Sequence, residues 1–179
     1  MNNSPEIEAI IEQAVHAAKD RKHQYCTVEH LLLALITHPP FKKCLDSFGC
    51  DIDLMTQEVT SYLDSLHAIE VANKTVEEIQ PRRTNSLERV MNRSVTQVLF
   101  TGRRQVTTID LYLSIASEGN SHAHYFLLKY GINKQEFLTH WQKTYKGAEY
   151  LTKLTDEQAD EILEEYTTCL LYTSDAADE

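Results

Sequence analysis

A helical stripe that occurs twice, 80 positions apart, constrains this chain more than any other feature. Ile7, Ile10, Ile11, Ala14, Val15 and Ala18 recur at the spacing of one helix face, and Leu87, Val90, Met91, Ser94, Val95 and Val98 repeat it. A short polar turn, a Thr and a Leu-rich run follow each stripe: Thr27 with Leu31, Leu33 and Leu35, then Thr107 with Leu111, Leu113 and Ile115. A long period repeated only twice marks a duplication folded into one body. Two half-units with the same apolar face bury it against each other. The expected architecture is all-α: a pseudo-two-fold bundle of about eight helices, with four-helix repeats over about 4–65 and 85–145. Such a body points to surfaces for partners rather than an active-site cleft.

Local punctuation sets the elements. Ser4 caps a first helix over 5–21, where Pro5 suits the first helical position. Thr27 caps a second, which ends near Thr37 ahead of Pro39 and Pro40. A short helix over 41–48 stops at Gly49, and a fourth begins near Asp51 or Asp53 with Met55, Val59 and Tyr62 inward. Residues 66–84 carry no sustained stripe and read as an exposed connection. The second copy then predicts helices over 85–101, from the Thr107 cap to 117, over 121–130, and over 133–145 with Phe137, Leu138 and Trp141 inside. Gly102 and Gly131 close two of them. Thr155, followed by Asp156, Glu157 and Gln158, opens an acidic linker helix to about 166.

Composition removes several function classes. The formal charge of −10 argues against nucleic acid, because phosphate recognition needs a basic footprint. Arg82-Arg83 and Arg103-Arg104 are small clusters, read as solvated or ion-paired. Cys26, Cys44, Cys50 and Cys169 form no CxxC pair and read as thiols of a reducing compartment. The opening MNNSPEIEAIIEQ does not look like a signal peptide, and no apolar run approaches a membrane span of about 20 residues. The expected setting is the cytoplasm of a bacterium, or of a host cell if the gene is phage-borne. His23, Glu29, His30, His122 and His124 invite a metal, but there is no HExxH and His122 and His124 do not share a helix face, so no metal site is expected. Cys26, beside a helix N-terminus, is a reactive thiol at most, lacking a positioned base. No GxxxxGK[ST] loop is present. No catalytic residue, and no cofactor, is assigned to the chain itself.

The repeat units carry a family signature. TVEHLLLALI (27–36), RTNSLERVMNRSV (83–95), GRRQVT (102–107) and IASEGNSHAHYFLLKYGI (115–132) resemble, in order and at matching distances, the Clp N-terminal domain of ClpA-type AAA+ unfoldases. The resemblance covers about 4–145 and makes 1–146 the domain. ILEEYTT (162–168) resembles the approach to a first ATPase module, so 147–168 reads as linker. CLLYTSDAADE (169–179) reads as translated sequencing adapter. The resemblance implies a module that recruits adaptors or substrates to a Clp unfoldase, with ATP and Mg confined to the ATPase modules of a hexameric parent that feeds a Clp protease. The isolated domain is expected to be a monomer. The alternative is a free-standing accessory subunit that docks on a Clp complex.

In the family, a ClpS-type adaptor contacts the first inter-helix turn and the start of the fifth helix. The resemblance places those contacts at His23, Gln24, Glu29, Thr84 and Arg89. Gln24 stands where ClpA commonly has Glu, which removes one charged contact. In the ClpC branch both repeats carry Thr-Glu-His, and the two glutamates help bind phosphoarginine. Here only the first copy does, since the second has Ile109-Asp110 against Glu29-His30. Without the resemblance, Glu29 is a favourable charge at a helix start, Thr84 a cap, Arg89 a solvated or paired cation and His30 a structural residue. Substitution of Thr84 or Arg89 is expected to weaken partner binding without lowering the melting temperature.

Overall fold

The computed structural model describes residues 4–66, 78 and 80–144. Among the described residues, eight helices run in chain order: α1 Pro5–Asp20, α2 Val28–Thr37, α3 Pro39–Phe48, α4 Ile52–Ser65, α5 Asn85–Phe100, α6 Thr108–Ala116, α7 His122–Lys129 and α8 Lys134–Thr144. Two short strands, β1 Tyr25–Cys26 and β2 Arg82–Arg83, pair in parallel. The all-α reading did not foresee this pairing. One compact unit extends through Phe137, and the boundary to the second falls inside α8. Within the second unit, the Thr144 hydroxyl donates to the His140 carbonyl at 2.9 Å. The linker helix expected over 155–166, the stretch 169–179 and most of the expected 66–84 connection lie outside the described residues.

Caps placed by sequence sit where the chemistry requires. The side chains of Ser4, Asp51, Thr84 and Ser121 accept from the amides of Ile7, Leu54, Leu87 and His124. Each supplies an acceptor to a helix end that has none of its own. Gly49 turns the chain out of α3 at φ 93°, a left-handed conformation that a Cβ would strain. The α3 helix begins two residues before the expected Phe41. Pro39 and Pro40 occupy its first turn, where a missing N–H leaves nothing unpaired.

The two Leu-rich helices form the centre. α2 is buried at Val28, Leu31, Leu32, Ala34, Leu35 and Ile36, and α6 from Thr108 through Ile115. Helices apolar almost all round are interior elements. α1 covers α2 and α5 covers α6, each with one face. Of the six stripe positions, four are fully buried in each copy: Ile7, Ile10, Ala14 and Ala18, matched by Leu87, Val90, Ser94 and Val98. Ser94 satisfies its hydroxyl on the Met91 carbonyl at 2.7 Å. The remaining pairs, Ile11 with Val15 and Met91 with Val95, are only half-buried. In α4, Ile52, Met55, Val59 and Leu63 face inward, while Tyr62 is half-buried and stacks on His122 at 4.5 Å between centroids. Phe137 is fully buried and meets the rings of Tyr112, Phe48 and Phe41 at 4.7, 5.4 and 5.6 Å. Leu138 and Trp141, expected inside, are half-buried.

The halves are laced reciprocally. The Thr84 amide donates to the Cys26 carbonyl at 3.2 Å, and the Ser4 hydroxyl donates to the Val106 carbonyl at 3.3 Å. Each bond runs from the cap of one repeat's first helix to the residue preceding the other repeat's central cap. The duplicated frame therefore closes between equivalent positions at both ends, by a backbone amide at Thr84 and by a side-chain hydroxyl at Ser4.

Candidate protein-binding edge

The turn ahead of α2 and the start of α5 are brought together by backbone. The Arg82 amide donates to the Gln24 carbonyl at 2.9 Å, which with the Thr84–Cys26 bond fixes β1 beside β2. Gln24, Tyr25, Arg82 and Arg83 are exposed along this edge and Thr84 is half-buried; Arg89 is exposed further along α5. Beneath it lies a small apolar niche lined by Ile11, Val15, Leu31, Leu87 and Met91, with Arg83 at its wall. The half-buried flanks of the two stripes thus meet under one edge. In a chain of formal charge −10, the adjacent Arg82 and Arg83 are a distinct electrostatic feature.

Arg89 is not solely a surface cation. It bonds the Glu118 carboxylate at 2.8 Å and the Ser86 hydroxyl at 2.9 Å, and Glu118 also takes Arg93 at 3.1 Å. Glu118 is itself buried. Arg89 therefore ties α5 to the segment after α6 while leaving about half of its side chain in solvent.

Glu29 points elsewhere. It is 7% exposed, and its carboxylate accepts the Ala123 amide at 3.3 Å. Ala123 lies in the first turn of α7, where unpaired N–H groups and the helix dipole favour a negative charge. The charge serves the start of another helix, 94 positions away, rather than its own.

His23 is also buried, at 5% exposure, and its partner is His30, at 0%. The Thr27 amide donates to His30 Nδ1 at 3.0 Å, so neutral His30 carries its proton on Nε2 and donates it to His23 Nδ1 at 2.9 Å. The far side of His23 bonds the Leu66 backbone at the end of α4. Burial is the first cause that lowers both imidazoles. It takes His30 down to about 4, helped by His23 and Arg21. The second copy builds the same constellation from different residues. The Thr107 amide donates to Asp110 at 2.8 Å, and Arg103 grips the same carboxylate with two bonds at 2.8 and 2.6 Å. Arg103, read from sequence as solvated or ion-paired, is half-buried and paired with a buried carboxylate.

The thiol near this turn is quiet. Burial raises Cys26 to about 11, and the Arg83 charge only partly opposes it. The expectation of a reactive thiol is corrected, because desolvation outweighs the nearby helix start. The sequence noted Arg82-Arg83 only as a small basic cluster and did not single out Tyr25 or the niche. Their signal was the half-polar flank of each stripe and the position of Arg82-Arg83 directly ahead of a cap.

The Clp repeat (R) N-terminal domain family matches residues 2–130. A "ClpA homolog protein" from Fuscovulum blasticum is 30% identical over 143 residues, 76% of this chain and 18% of that protein. The chain therefore spans less than a fifth of that relative's length. The Hsp104 N-terminal domain from Candida albicans superposes with a TM-score of 0.70 at 12% identity, covering 84% of this chain and 95% of the other. The N-terminal domain of ClpD, a caseinolytic protease associated chaperone from Arabidopsis thaliana, gives 0.61 at 18% identity, covering 81% and 95%. At these identities the superpositions speak for the fold.

Proposed function

The chain belongs to the Clp repeat (R) N-terminal domain family, and we propose that it is a protein-binding module recruiting adaptors or substrates to a Clp ATP-dependent unfoldase. The partner envisaged is a ClpS-like adaptor acting in the cytoplasm, with ATP hydrolysis carried by the parent ring. The observation that carries this reading is the β1–β2 edge. It sets Gln24 beside Arg82, Arg83 and Thr84 over an apolar niche, while Arg89, further along α5, is turned toward Glu118. A partner that presents carboxylates around an apolar side chain fits both features.

His23 and Glu29 enter this reading indirectly. Both are buried; His23 holds the turn behind the edge through His30, and Glu29 holds the start of α7. Thr84 has two roles, since its hydroxyl accepts the Leu87 amide at 3.2 Å. The expectation that Thr84 changes leave stability untouched is therefore revised: Thr84→Ala removes a cap worth about 1 kcal/mol, whereas Thr84→Ser keeps it. Arg89 changes also release a buried carboxylate partner.

The test is calorimetric titration of the chain with a ClpS-like adaptor. Saturable binding is expected, reduced at least tenfold by R82E/R83E, with the melting temperature nearly unchanged because both side chains are exposed. No heat and no anisotropy change at high micromolar adaptor would overturn the adaptor role.

A further inference from the structure

We infer that the His23–His30 pair is an acid-sensitive latch that holds the 21–27 turn, and with it β1, against β2. Every acceptor nitrogen in the neutral pair is already used. His30 Nδ1 receives the Thr27 amide at 3.0 Å and faces the Thr27 hydroxyl at 2.9 Å, while His23 Nδ1 receives His30 Nε2–H at 2.9 Å. A proton added to His30 places Nδ1–H against the Thr27 N–H. A proton added to His23 at Nδ1 must be accepted by His30 Nε2, which drives the His30 proton onto Nδ1 and meets the same amide. Either route turns Nδ1 into a donor, so the Thr27 hydroxyl must rotate to accept it and the Thr27 amide loses its acceptor.

The charged groups around the pair are Arg21 in the turn and Asp64 on α4, bonded to each other at 2.7 Å. Arg21 opposes protonation of both rings and Asp64 favours it at His23. Opening therefore follows a break between Thr27 and His30, and the chain leading from there runs directly into Tyr25–Cys26. The second repeat lacks this behaviour. Its equivalent turn is held by Arg103 and Asp110, at 14% and 1% side-chain exposure, and contains no imidazole. The latch is a property of the chain alone and stands whether or not a partner uses the edge.

The sign follows from proton linkage. A histidine held near 4 in the closed form and at 6.5 in the open form favours closure fully above pH 6.5, and that preference fades as pH falls toward 4. At pH 5 the opening equilibrium rises about 30-fold relative to pH 8.

The experiment is amide hydrogen exchange on the whole 179-residue chain, read by NMR at pH 8 and pH 5 and corrected for intrinsic rates. The Thr27, Arg82 and Thr84 amides are expected to open about 30-fold more often at pH 5. The Thr107 amide, bonded to Asp110, serves as the reference for local opening and should not move, while core amides of α2 and α6 that exchange only through global unfolding report the separate loss of overall stability. An unchanged Thr27 amide overturns the latch, as does a Thr107 amide that rises equally. The variant H23R/H30D, which installs the second copy's pair, is expected to abolish the rise. If that variant does not fold, ring ¹⁵N shifts of the wild-type chain decide. A His30 that keeps its proton on Nε2 to below pH 5 supports the latch, and one that titrates above pH 6 overturns it.

Discussion

The two inter-helix turns make the same connection with different chemistry, and exchanging the chemistry tests whether geometry governs it. Consider Arg103→Met. Asp110 is 1% exposed and would keep the Thr107 donors but lose both guanidinium bonds. Stranding a buried carboxylate costs about 3–5 kcal/mol, far above the roughly 0–1 kcal/mol of a surface ion pair. With a urea m value of about 2 kcal/mol/M, the midpoint would fall by about 1.5–2.5 M. Asp110→His alone removes the anion from a half-buried Arg103 that keeps its bond to the Thr101 hydroxyl at 2.9 Å, and should also destabilise, by less. The double variant R103H/D110H rebuilds the first copy's neutral chain, and at pH 8 it should lie within about 1.5 kcal/mol of wild type, since neutral hydrogen bonds of about 1 kcal/mol each replace a pair with heavy desolvation costs. The coupling in a double-mutant cycle is then several kcal/mol. A second signature accompanies it. His30, lowered to about 4 by burial, makes the chain lose about 2 kcal/mol between pH 8 and pH 5, because the unfolded side chain takes up a proton that the folded one refuses. The double variant should therefore lose about twice as much as wild type. Additivity of the singles within about 0.5 kcal/mol, or a loss below about 1 kcal/mol for Arg103→Met, would refute the reasoning.

Two further outcomes follow from local geometry. Gly49 has φ 93°, and a Cβ added there would meet no atom within 4 Å, so Gly49→Ala meets backbone strain alone and should cost about 1 kcal/mol in a thermal melt. Gly119, equally open but without positive φ, should accept Ala at no cost or with a gain of a few tenths of a kcal/mol. Glu29→Ala leaves the Ala123 amide unpaired in a buried setting and should cost about 1–3 kcal/mol by urea unfolding, whereas Glu29→Gln, which keeps an acceptor, should cost clearly less.

Much of the frame could be read from the chain because its determinants are local. Ser4, Thr84, Thr107 and Ser121 announce helix starts by their own hydrogen-bonding chemistry, and the stripes announce the buried faces. Pro39-Pro40 misled because the residue that ends one helix also suits the first turn of the next. The candidate edge was only partly legible. That the turn ahead of α2 meets α5 followed from the family resemblance, but the β1–β2 pairing joins residues 57 positions apart and leaves no periodic trace in two-residue strands. Glu29 was read as a charge on its own helix because the α7 amide that claims it is a tertiary neighbour. The His23–His30 link was available in principle. Shifting both by 80 positions lands on Arg103 and Asp110, a pair that changes together.

Departures between the two copies are therefore better read as compensated pairs than as a decayed half. Glu29 in α2 faces a helix start that offers an N–H, at Ala123. Its counterpart Ile109 sits in α6, which touches α3 through Tyr112 and Phe41, and α3 opens with Pro39 and Pro40. A helix start with two prolines presents two fewer donors, so a carboxylate at 109 would be buried with less to bind, and an apolar side chain is the lower-energy choice. The same logic sets His23 with His30 against Arg103 with Asp110. In each case the position is fixed by the duplicated backbone and the chemistry by what the facing element can satisfy. What distinguishes the first copy is that its compensation is neutral and titratable, and that it lies directly behind the edge where the two halves pair as strands.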